Sequence, residues 1–229
     1  MDYFYTPPRL ITAPEAIIEG DEFTHLTHVM RKKVGEEIMI VDGAGNAYHT
    51  QIADLSKRAA RCTIRQHVPQ LHEPATEATL AIGILKNPSR FDFLVEKATE
   101  LGATHIVPLL TERTIPRHAK TNRWQKIALA AMKQSERCVL PTIHPLTLLG
   151  DFLRTATAEQ KFIAHEQANT PLDVDVHAAS VAVCIGPEGG FTEGEIAEAS
   201  RNGFQTITLG VRRLRTETAG IVALSRMIR

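Results

Sequence analysis

The sequence predicts an α/β protein in two parts, a small β-rich unit over residues 1–72 and an α/β domain with a mainly parallel sheet over residues 73–229. Short runs of alternating and β-branched residues dominate the first 70 residues, which is typical of paired strands. From Thr79 onwards, apolar strand patterns alternate with amphipathic helical patterns, as in domains built on parallel sheets. A polar, proline-flanked segment, residues 69–74, separates the two patterns and is typical of a linker.

The first unit is predicted to contain at least three strands and one helix. The strands are expected over residues 37–42, 48–54 and 60–67. Asp42-Gly43 and Gly45-Asn46 are turn signals between the first two strands. The helix is expected over residues 21–33.

The second unit is predicted to contain five strands. Their apolar or β-branched runs occupy residues 80–85, 105–110, 161–164, 181–185 and 206–209. A continuous apolar run such as residues 181–185 is typical of a strand that is buried on both faces of a parallel sheet.

Helices are predicted between and after these strands. Ser89 with Asp92, and Thr192 with Glu195, have the spacing of a capping box at a helix start. The first of these helices ends at Gly102, another begins at Thr121, and two more are expected over residues 146–156 and 217–228. The buried stripe of the helix that begins near Ser89 is expected to be Phe91, Leu94, Val95, Ala98 and Leu101. That of the helix that begins at Thr121 is expected to be Trp124, Ile127, Ala128, Ala131 and Met132.

The composition is that of an ordinary globular protein, with 43% hydrophobic and 23% charged residues in 229. No apolar run approaches the roughly 20 residues of a membrane span, so we expect no membrane partner. The first residues lack the pattern of a signal peptide, which favours the cytoplasm. The three cysteines are widely spaced, so neither a disulfide framework nor a zinc site is expected.

Charge is unevenly distributed although the formal net charge is zero. Residues 86–137 hold ten Lys and Arg against five Asp and Glu, and residues 201–229 hold six against one. Residues 138–200 show the reverse, with two against nine. Such a split gives either a basic face that attracts a phosphate backbone or merely solvated helix faces.

Two glycine-rich turns follow predicted strands near the C-terminal end. The first contains Gly186-Pro187-Glu188-Gly189-Gly190, and the second spans residues 208–220. Both lead into predicted helices, and the carboxyl edge of an open α/β sheet is where ligands bind. Glycine lets backbone approach a ligand closely, although such residues also serve as simple tight turns. The spacing matches neither a dinucleotide fingerprint nor a phosphate-binding loop.

These turns, with the sequences IGPEGGFT (185–192) and LRTETA (214–219), resemble the RsmE family, the ribosomal RNA small subunit methyltransferase E enzymes. The resemblance implies a SPOUT-class α/β domain with a deep trefoil knot and an N-terminal PUA-like β-barrel. It implies methylation of N3 of a uridine in 16S ribosomal RNA of the small subunit, with S-adenosylmethionine as cofactor. It also implies a homodimer, with Ile221, Val222 and Leu224 of the last helix at the two-fold axis.

The resemblance also assigns site residues. Cofactor contacts are expected from His165, Ile185, Gly186, Pro187, Glu188, Gly189, Gly190, Leu209, Gly210, Leu214, Arg215, Thr216, Thr218 and Ala219. RNA contacts are expected from His25, His28, Arg31, Lys86, Arg90, Arg113, Gln134 and Arg137. The first three fall at i, i+3 and i+6 on the predicted helix; a two-histidine metal site lacks a third ligand there, so no metal is expected. Lys133 and Arg213 depart from the family pattern, which commonly has glutamate and an apolar residue there.

The implied chemistry requires removal of a proton from uracil N3 and stabilisation of negative charge on the uracil oxygens. Arg215 and Glu217 are the catalytic candidates because they flank the second turn. A guanidinium is a fixed fork of donors suited to developing anionic charge. Glu217 is either a base or a carboxylate that stabilises a helix start, and Glu188 is a weaker candidate for the base.

Two other functions fit parts of the pattern. One is a non-catalytic RNA-binding module, which has no need of intact GPEGG and LRTETA sequences. The other is a knotted methyltransferase that acts on transfer RNA. Only the family match distinguishes this function from methylation of ribosomal RNA.

Overall fold

The computed structural model describes residues 1–175 and 177–228. The chain divides into two compact units, of which the first comprises Met1–Glu73 and Leu129–Leu140 and the second comprises the rest of the described chain. The division at Glu73 lies beside the boundary expected from the sequence. Leu129–Leu140, which the sequence analysis placed in the second part, packs with the first unit.

The first unit is built on a six-stranded sheet with the order β1-β4-β5-β6-β3-β2. Its strands are β1 (Tyr3–Tyr5), β2 (Ile11–Thr12), β3 (Glu15–Glu19), β4 (Glu37–Val41), β5 (Asn46–Leu55) and β6 (Ala59–Pro69). Neighbouring strands are antiparallel except β1 and β4. The three strands expected from the alternation are β4, β5 and β6.

This sheet is a curled half-barrel, and β1 and β2 are the strands at its two ends. The buried Thr6, which follows β1, donates its hydroxyl to the carbonyl of Ile17 in β3, 3.1 Å away, and so links opposite parts of the curl. Phe4, Ile18, Ile38 and other buried apolar side chains form one core cluster of this unit.

The helix expected over residues 21–33 is shorter than predicted. It comprises α1 (Gly20–Thr24) and a continuation with wider π-helical turns, His25–Val29. Arg31 adopts φ +54°, and the amide of Lys32 then donates back to the carbonyl of Leu26, which ends the helix. Arg31 therefore lies beyond the helix and does not share a helix face with His25 and His28 as predicted.

The segment Leu129–Leu140 covers a second apolar surface of the first unit. Met132 and Cys138 from this segment pack with Met39, Val41 and Ala47 of β4 and β5. The sheet thus carries apolar side chains on both faces, which explains the continuous burial along residues 38–41.

The second unit contains a sheet in which every pair of neighbouring strands is parallel, as expected. Its order is β10-β8-β7-β12-β11-β13, with β9 also paired to β8. The strands are β7 (Glu77–Gly83), β8 (His105–Leu110), β9 (Thr142–Ile143), β10 (Thr147–Leu148), β11 (Gln160–Ala164), β12 (Ser180–Ile185) and β13 (Gln205–Ile207).

Helices cover both faces of this sheet. They include α2 (Pro88–Glu100), α4 (Leu149–Thr155), α5 (Glu193–Arg201) and α6 (Thr216–Met227). In α3 (Thr121–Gln134), Trp124 packs against Phe91 of α2, and the last six residues belong to the first unit. Ala81 of β7 belongs to the cluster that contains Ala199 of α5, whereas Leu80 and Ile82 lie against Gly220 of α6. Because successive side chains of a strand point to opposite faces, α5 and α6 lie on opposite faces of the sheet.

The predicted helix starts have different outcomes. Thr192 and Glu195 form the expected capping box of α5. The box predicted from Ser89 and Asp92 is wrong, because Asn87 caps α2 by accepting from the amide of Ser89. The carboxylate of Asp92 instead accepts from the indole of Trp124, 3.2 Å away.

The last helix also corrects one expectation. Leu224, expected at a two-fold axis, is fully buried within the protomer, whereas Ile221 and Val222 are partly exposed. Among the described residues, no helix is long and apolar enough to cross a membrane.

We expect the three cysteines to resist alkylation in the native protein. Burial raises the pKa of the Cys62 thiol and of the Cys138 thiol to about 12, and it also raises the pKa of Cys184. The reactive thiolate is therefore scarce at pH 8. Iodoacetamide at pH 8 followed by intact mass should show no addition without denaturant and three additions in urea. Addition to the native protein would contradict this burial.

Candidate active site

A cleft of about 820 Å³ lies at the carboxyl edge of the second unit's sheet. Two loops form much of its lining, and we call residues 186–192 the first glycine loop and residues 208–215 the second glycine loop. The first loop follows β12 and the second follows β13, and these two strands lie on either side of β11 in the sheet. The two loops thus meet at one sheet edge, as the sequence predicted.

The first glycine loop folds tightly on itself. The Gly190 amide donates to the Pro187 carbonyl over 2.8 Å, and Gly190 adopts φ +68°. A Cβ on Gly186 would lie 3.0 Å from the Cα and carbonyl carbon of Gly190, so the turn needs glycine at residue 186. The glutamate of the loop is anchored, since Glu188 accepts from the amide of Lys86 over 3.0 Å.

Gly83 packs against the first glycine loop, a contact that the sequence analysis missed. It ends β7, and a Cβ there would lie 2.6 Å from the backbone nitrogen of Pro187. Such a contact with backbone cannot be relieved by turning a side chain. A glycine inside the strand predicted over residues 80–85 was a sequence signal for such a close approach of backbone.

The second glycine loop leads into the N-terminus of α6. Gly210 adopts φ +129°, and its amide donates to the hydroxyl of Thr208 over 3.2 Å. Arg215 is the N-cap residue, and in the described chain no side-chain hydrogen bond caps this helix end. The first amides of α6 are therefore available to a ligand, because the first turn of a helix has no internal acceptors for them.

Most of the predicted cofactor residues line this cleft. They are His165, Ile185, Gly186, Pro187, Glu188, Gly189, Gly190, Leu209, Gly210, Leu214, Arg215, Thr216 and Ala219. Thr218 is exposed and is not among the lining residues.

The two catalytic candidates differ in their surroundings. Glu217 is 8% exposed in the first turn of α6, and its Oε1 lies 3.6 Å from Nε of Arg90. Arg215 is exposed at the cleft, and within residues 1–175 and 177–228 its guanidinium makes no hydrogen bond or ion pair. Burial raises the pKa of Cys184, which precedes the first loop, so its thiol is not an activated nucleophile.

Comparison with known proteins decides the family. A family model of an RNA methyltransferase domain matches residues 71–228, and a model of an RNA methyltransferase PUA domain matches residues 18–65. The ribosomal RNA small subunit methyltransferase E of Synechocystis sp. is 36% identical, over 96% of this chain and 76% of that protein. The chain belongs to the RsmE family. The enzyme of the same name from Mesomycoplasma hyopneumoniae is 32% identical, over 89% of this chain and 91% of that protein.

A solved RsmE structure has the same fold over nearly the whole chain. The crystal structure of ribosomal RNA small subunit methyltransferase E from Neisseria gonorrhoeae bound to S-adenosyl methionine superimposes with a TM-score of 0.88. The two chains are 34% identical, and the match covers 98% of this RsmE chain and 95% of that one. The prediction of an α/β domain after a PUA-like unit is thus confirmed.

The residues expected to contact RNA are divided between the two units. Arg90 and Arg113 line the cleft of the second unit, and the exposed Lys86 lies beside Glu188. His25, His28, Arg31 and Gln134 belong to the first unit and are partly or fully exposed. Among the described residues, no group of three His, Cys, Asp or Glu side chains is placed to hold a metal ion.

Arg137 corrects the expectation of an RNA contact. Its side chain is 3% exposed and its Nη2 lies 2.6 Å from Oε2 of Glu73, whose side chain is 2% exposed. A buried guanidinium that is held by a carboxylate is not available to a phosphate. Arg137 is a structural residue of the first unit.

The structure also places the two departures from the RsmE pattern. Lys133 forms an ion pair with Glu22 of the first unit, so the positive charge of this lysine is balanced by a carboxylate. Arg213 is exposed in the second glycine loop.

Proposed function

We propose that this RsmE protein transfers a methyl group from S-adenosylmethionine to N3 of a uridine in 16S ribosomal RNA of the small subunit. The observation that carries the proposal is the meeting of two glycine loops and an uncapped helix N-terminus around one cleft. Membership of the family supports the RNA substrate and the cofactor. The reaction belongs in the cytoplasm, where ribosomal RNA is assembled into subunits.

The cleft, together with Gly83 that packs against its first glycine loop, fits the cofactor. Gly83 and Gly186 leave no room for a Cβ, so the loop backbone sits where a side chain would displace it. Backbone N–H and C=O groups in such loops can recognise an adenine edge or a ribose without charged side chains. Loop residues 186–190 and the residues of the second glycine loop would hold the cofactor, which supplies an activated methyl group when bound.

The side chains then have three tasks. They must align uracil N3, accept or share its proton, and stabilise negative charge on its oxygens, and alignment alone can contribute about 7–11 kcal/mol. We assign charge stabilisation to Arg215, because its guanidinium lies at the cleft and has no partner among the described residues. We assign Glu217 to the start of α6, where its carboxylate faces Arg90 and the positive end of the helix dipole.

Mass spectrometry of ribosomal RNA tests the proposed function. A strain that lacks the gene should lose one 3-methyluridine from 16S ribosomal RNA, and the wild-type gene should restore it. Loss of a methyl group from transfer RNA instead would indicate the transfer RNA methyltransferase. No loss of methylation would favour the non-catalytic RNA-binding module.

Gly83→Ala tests the fit of the cofactor. The added Cβ would force the loop at Pro187 to move, so we expect weaker S-adenosylmethionine binding. Overpacking costs about 1–3 kcal/mol, which corresponds to about 5- to 150-fold in affinity. Isothermal titration calorimetry measures this affinity.

Gly194→Ala is the matched control. A Cβ at residue 194, in the first turn of α5, would approach only the hydroxyl of Thr192, at 3.8 Å. We therefore expect unchanged affinity and slightly higher stability, since alanine favours helix over glycine. Wild-type affinity in a folded Gly83→Ala variant would contradict the assignment of this edge to the cofactor.

We also propose the trefoil knot that the family resemblance implies. The segment that connects β11 to β12 is hydrogen-bonded to the segment that follows β13. The Thr208 amide donates to the Thr170 carbonyl, and the Thr208 carbonyl accepts from the Leu172 amide. Beyond those bonds, the chain reaches the face of the sheet opposite α5. Both features are expected where a chain end passes through a loop.

We further propose a homodimer. Ile221 and Val222 leave apolar surface partly exposed on α6, and Val211 beside the cleft is fully exposed. Most soluble oligomers are two-fold symmetric, and burial of such surface favours association. Light scattering at micromolar concentration should give the mass of two chains; a monomeric mass would contradict the proposal.

A further inference from the structure

The turn that follows β8 contacts the first glycine loop. We call residues 111–114 the TER turn, which is closed by its own threonines. The Thr111 amide donates to the Thr114 hydroxyl over 3.0 Å, and the two hydroxyls lie 2.9 Å apart. Both threonines are buried, so the TER turn presents Glu112 and Arg113 from a fixed base.

Arg113 bonds the loop at two carbonyls. Its Nη1 donates to the Gly189 carbonyl over 2.8 Å and to the Phe191 carbonyl over 3.3 Å. Its stem also packs against the loop, since a Cβ on Gly189 would lie 3.2 Å from Cβ of Arg113. The guanidinium thus holds two peptide oxygens of the loop.

These contacts fix two peptide groups at both ends. The Gly189–Gly190 peptide is held by Arg113 at its carbonyl and by Pro187 at its amide. The Phe191–Thr192 peptide is held by Arg113 at its carbonyl and by Glu195 at its amide. In the described chain, the peptide between them makes no hydrogen bond through its Gly190 carbonyl or its Phe191 amide. Its orientation is set by its two fixed neighbours.

Glu112 completes the attachment. Its amide donates to Oε1 of Glu195 over 2.8 Å, and its carboxylate accepts from the Thr192 hydroxyl over 3.2 Å. Thr192 and Glu195 form the capping box of α5, so the TER turn is joined to the loop and to the helix that follows it.

We infer that Arg113 is a positioning residue for the cofactor, acting through the first glycine loop, and not an RNA contact. The inference rests on the proposed function. By holding both flanking carbonyls, Arg113 presents the free Gly190–Phe191 peptide to the adenosine part of S-adenosylmethionine. A guanidinium suits this task because its planar fork can bond two acceptors at once.

The test measures cofactor and RNA binding on the same variants of the full chain. Arg113→Ala should weaken S-adenosylmethionine binding at least about tenfold, since hydrogen bonds to charged groups contribute about 1.5–3 kcal/mol. Its KM for the cofactor should rise while kcat at saturating cofactor and RNA affinity stay near wild type. Arg113→Lys should recover part of the affinity. Arg117→Ala, at an exposed arginine four residues further along the chain that does not line the cleft, should leave cofactor affinity unchanged.

The outcomes separate the possible roles. Wild-type cofactor affinity with weakened RNA binding in Arg113→Ala would overturn the inference in favour of an RNA contact. If the alanine variant does not fold, Arg113→Lys decides, because it keeps the charge that a phosphate requires. Weakened cofactor binding in the lysine variant then supports the inference, and wild-type cofactor binding overturns it. A wild-type protein that binds no S-adenosylmethionine would instead refute the proposed function.

Discussion

Arg137→Ala should lower the free energy of unfolding by about 3–5 kcal/mol, the usual cost of removing one partner of a buried ion pair. The substitution leaves the carboxylate of Glu73 without its guanidinium at 2% exposure. Glu73 also accepts from the amides of Cys138 and Val139, both over 2.8 Å, so its charge cannot move into water without breaking those bonds. Urea unfolding, monitored by circular dichroism, measures the change.

An exposed arginine provides the control. Arg154 pairs with Asp151 but is 58% exposed, so Arg154→Ala should change the unfolding free energy by less than about 1 kcal/mol. Equal effects of the two substitutions would show that the burial of Arg137 is not what makes its ion pair matter. If Arg137→Ala binds RNA more weakly but keeps wild-type stability, the original prediction that Arg137 contacts RNA would be supported.

The sequence predicted five of the seven strands of the parallel sheet, because most of these five are apolar runs with local signals, whereas the two-residue β9 and β10 were not predicted. Residues 181–185 are apolar throughout, and the Thr192–Glu195 capping box is complete within four residues. The three short strands at the beginning were not predicted individually. They are two to five residues long and lie among prolines, so neither periodicity nor length marks them.

The roles of two arginines could not be predicted, because they depend on contacts between residues that are distant in the sequence. Arg137 has the local sequence of a surface base, and its partner Glu73 lies 64 residues away. Arg113 has the same appearance, and the Gly189 carbonyl that it bonds lies 76 residues away. The sequence shows that an arginine is charged but not which group it contacts. That contact determines whether the arginine binds RNA, holds a loop or pairs with a buried carboxylate.

Arg215→Ala should lower kcat and kcat/KM together by about 100- to 1,000-fold, or about 2.7–4 kcal/mol, with little change in S-adenosylmethionine affinity. The reason is that Arg215 stands at the cleft as the N-cap residue of α6 with its guanidinium unpaired in the described chain. Such a donor can bond charge that develops on the uracil oxygens only in the transition state. Single-turnover methyl transfer at saturating cofactor, together with calorimetry, measures both quantities.

Arg215→Lys distinguishes this role from a simple positive charge. It should restore little activity, because an ammonium lacks the planar fork that matches two acceptors. Arg201→Ala is the control, since it removes an exposed arginine at the end of α5 that does not line the cleft and should leave the rate of single-turnover transfer close to wild type. If Arg215 only braces the second glycine loop, Arg215→Ala will weaken cofactor binding and leave that rate nearly unchanged once the cofactor is saturating. We expect the loss of rate, because a bracing side chain would be bonded to the loop that it holds, and the Arg215 guanidinium bonds none of the described residues.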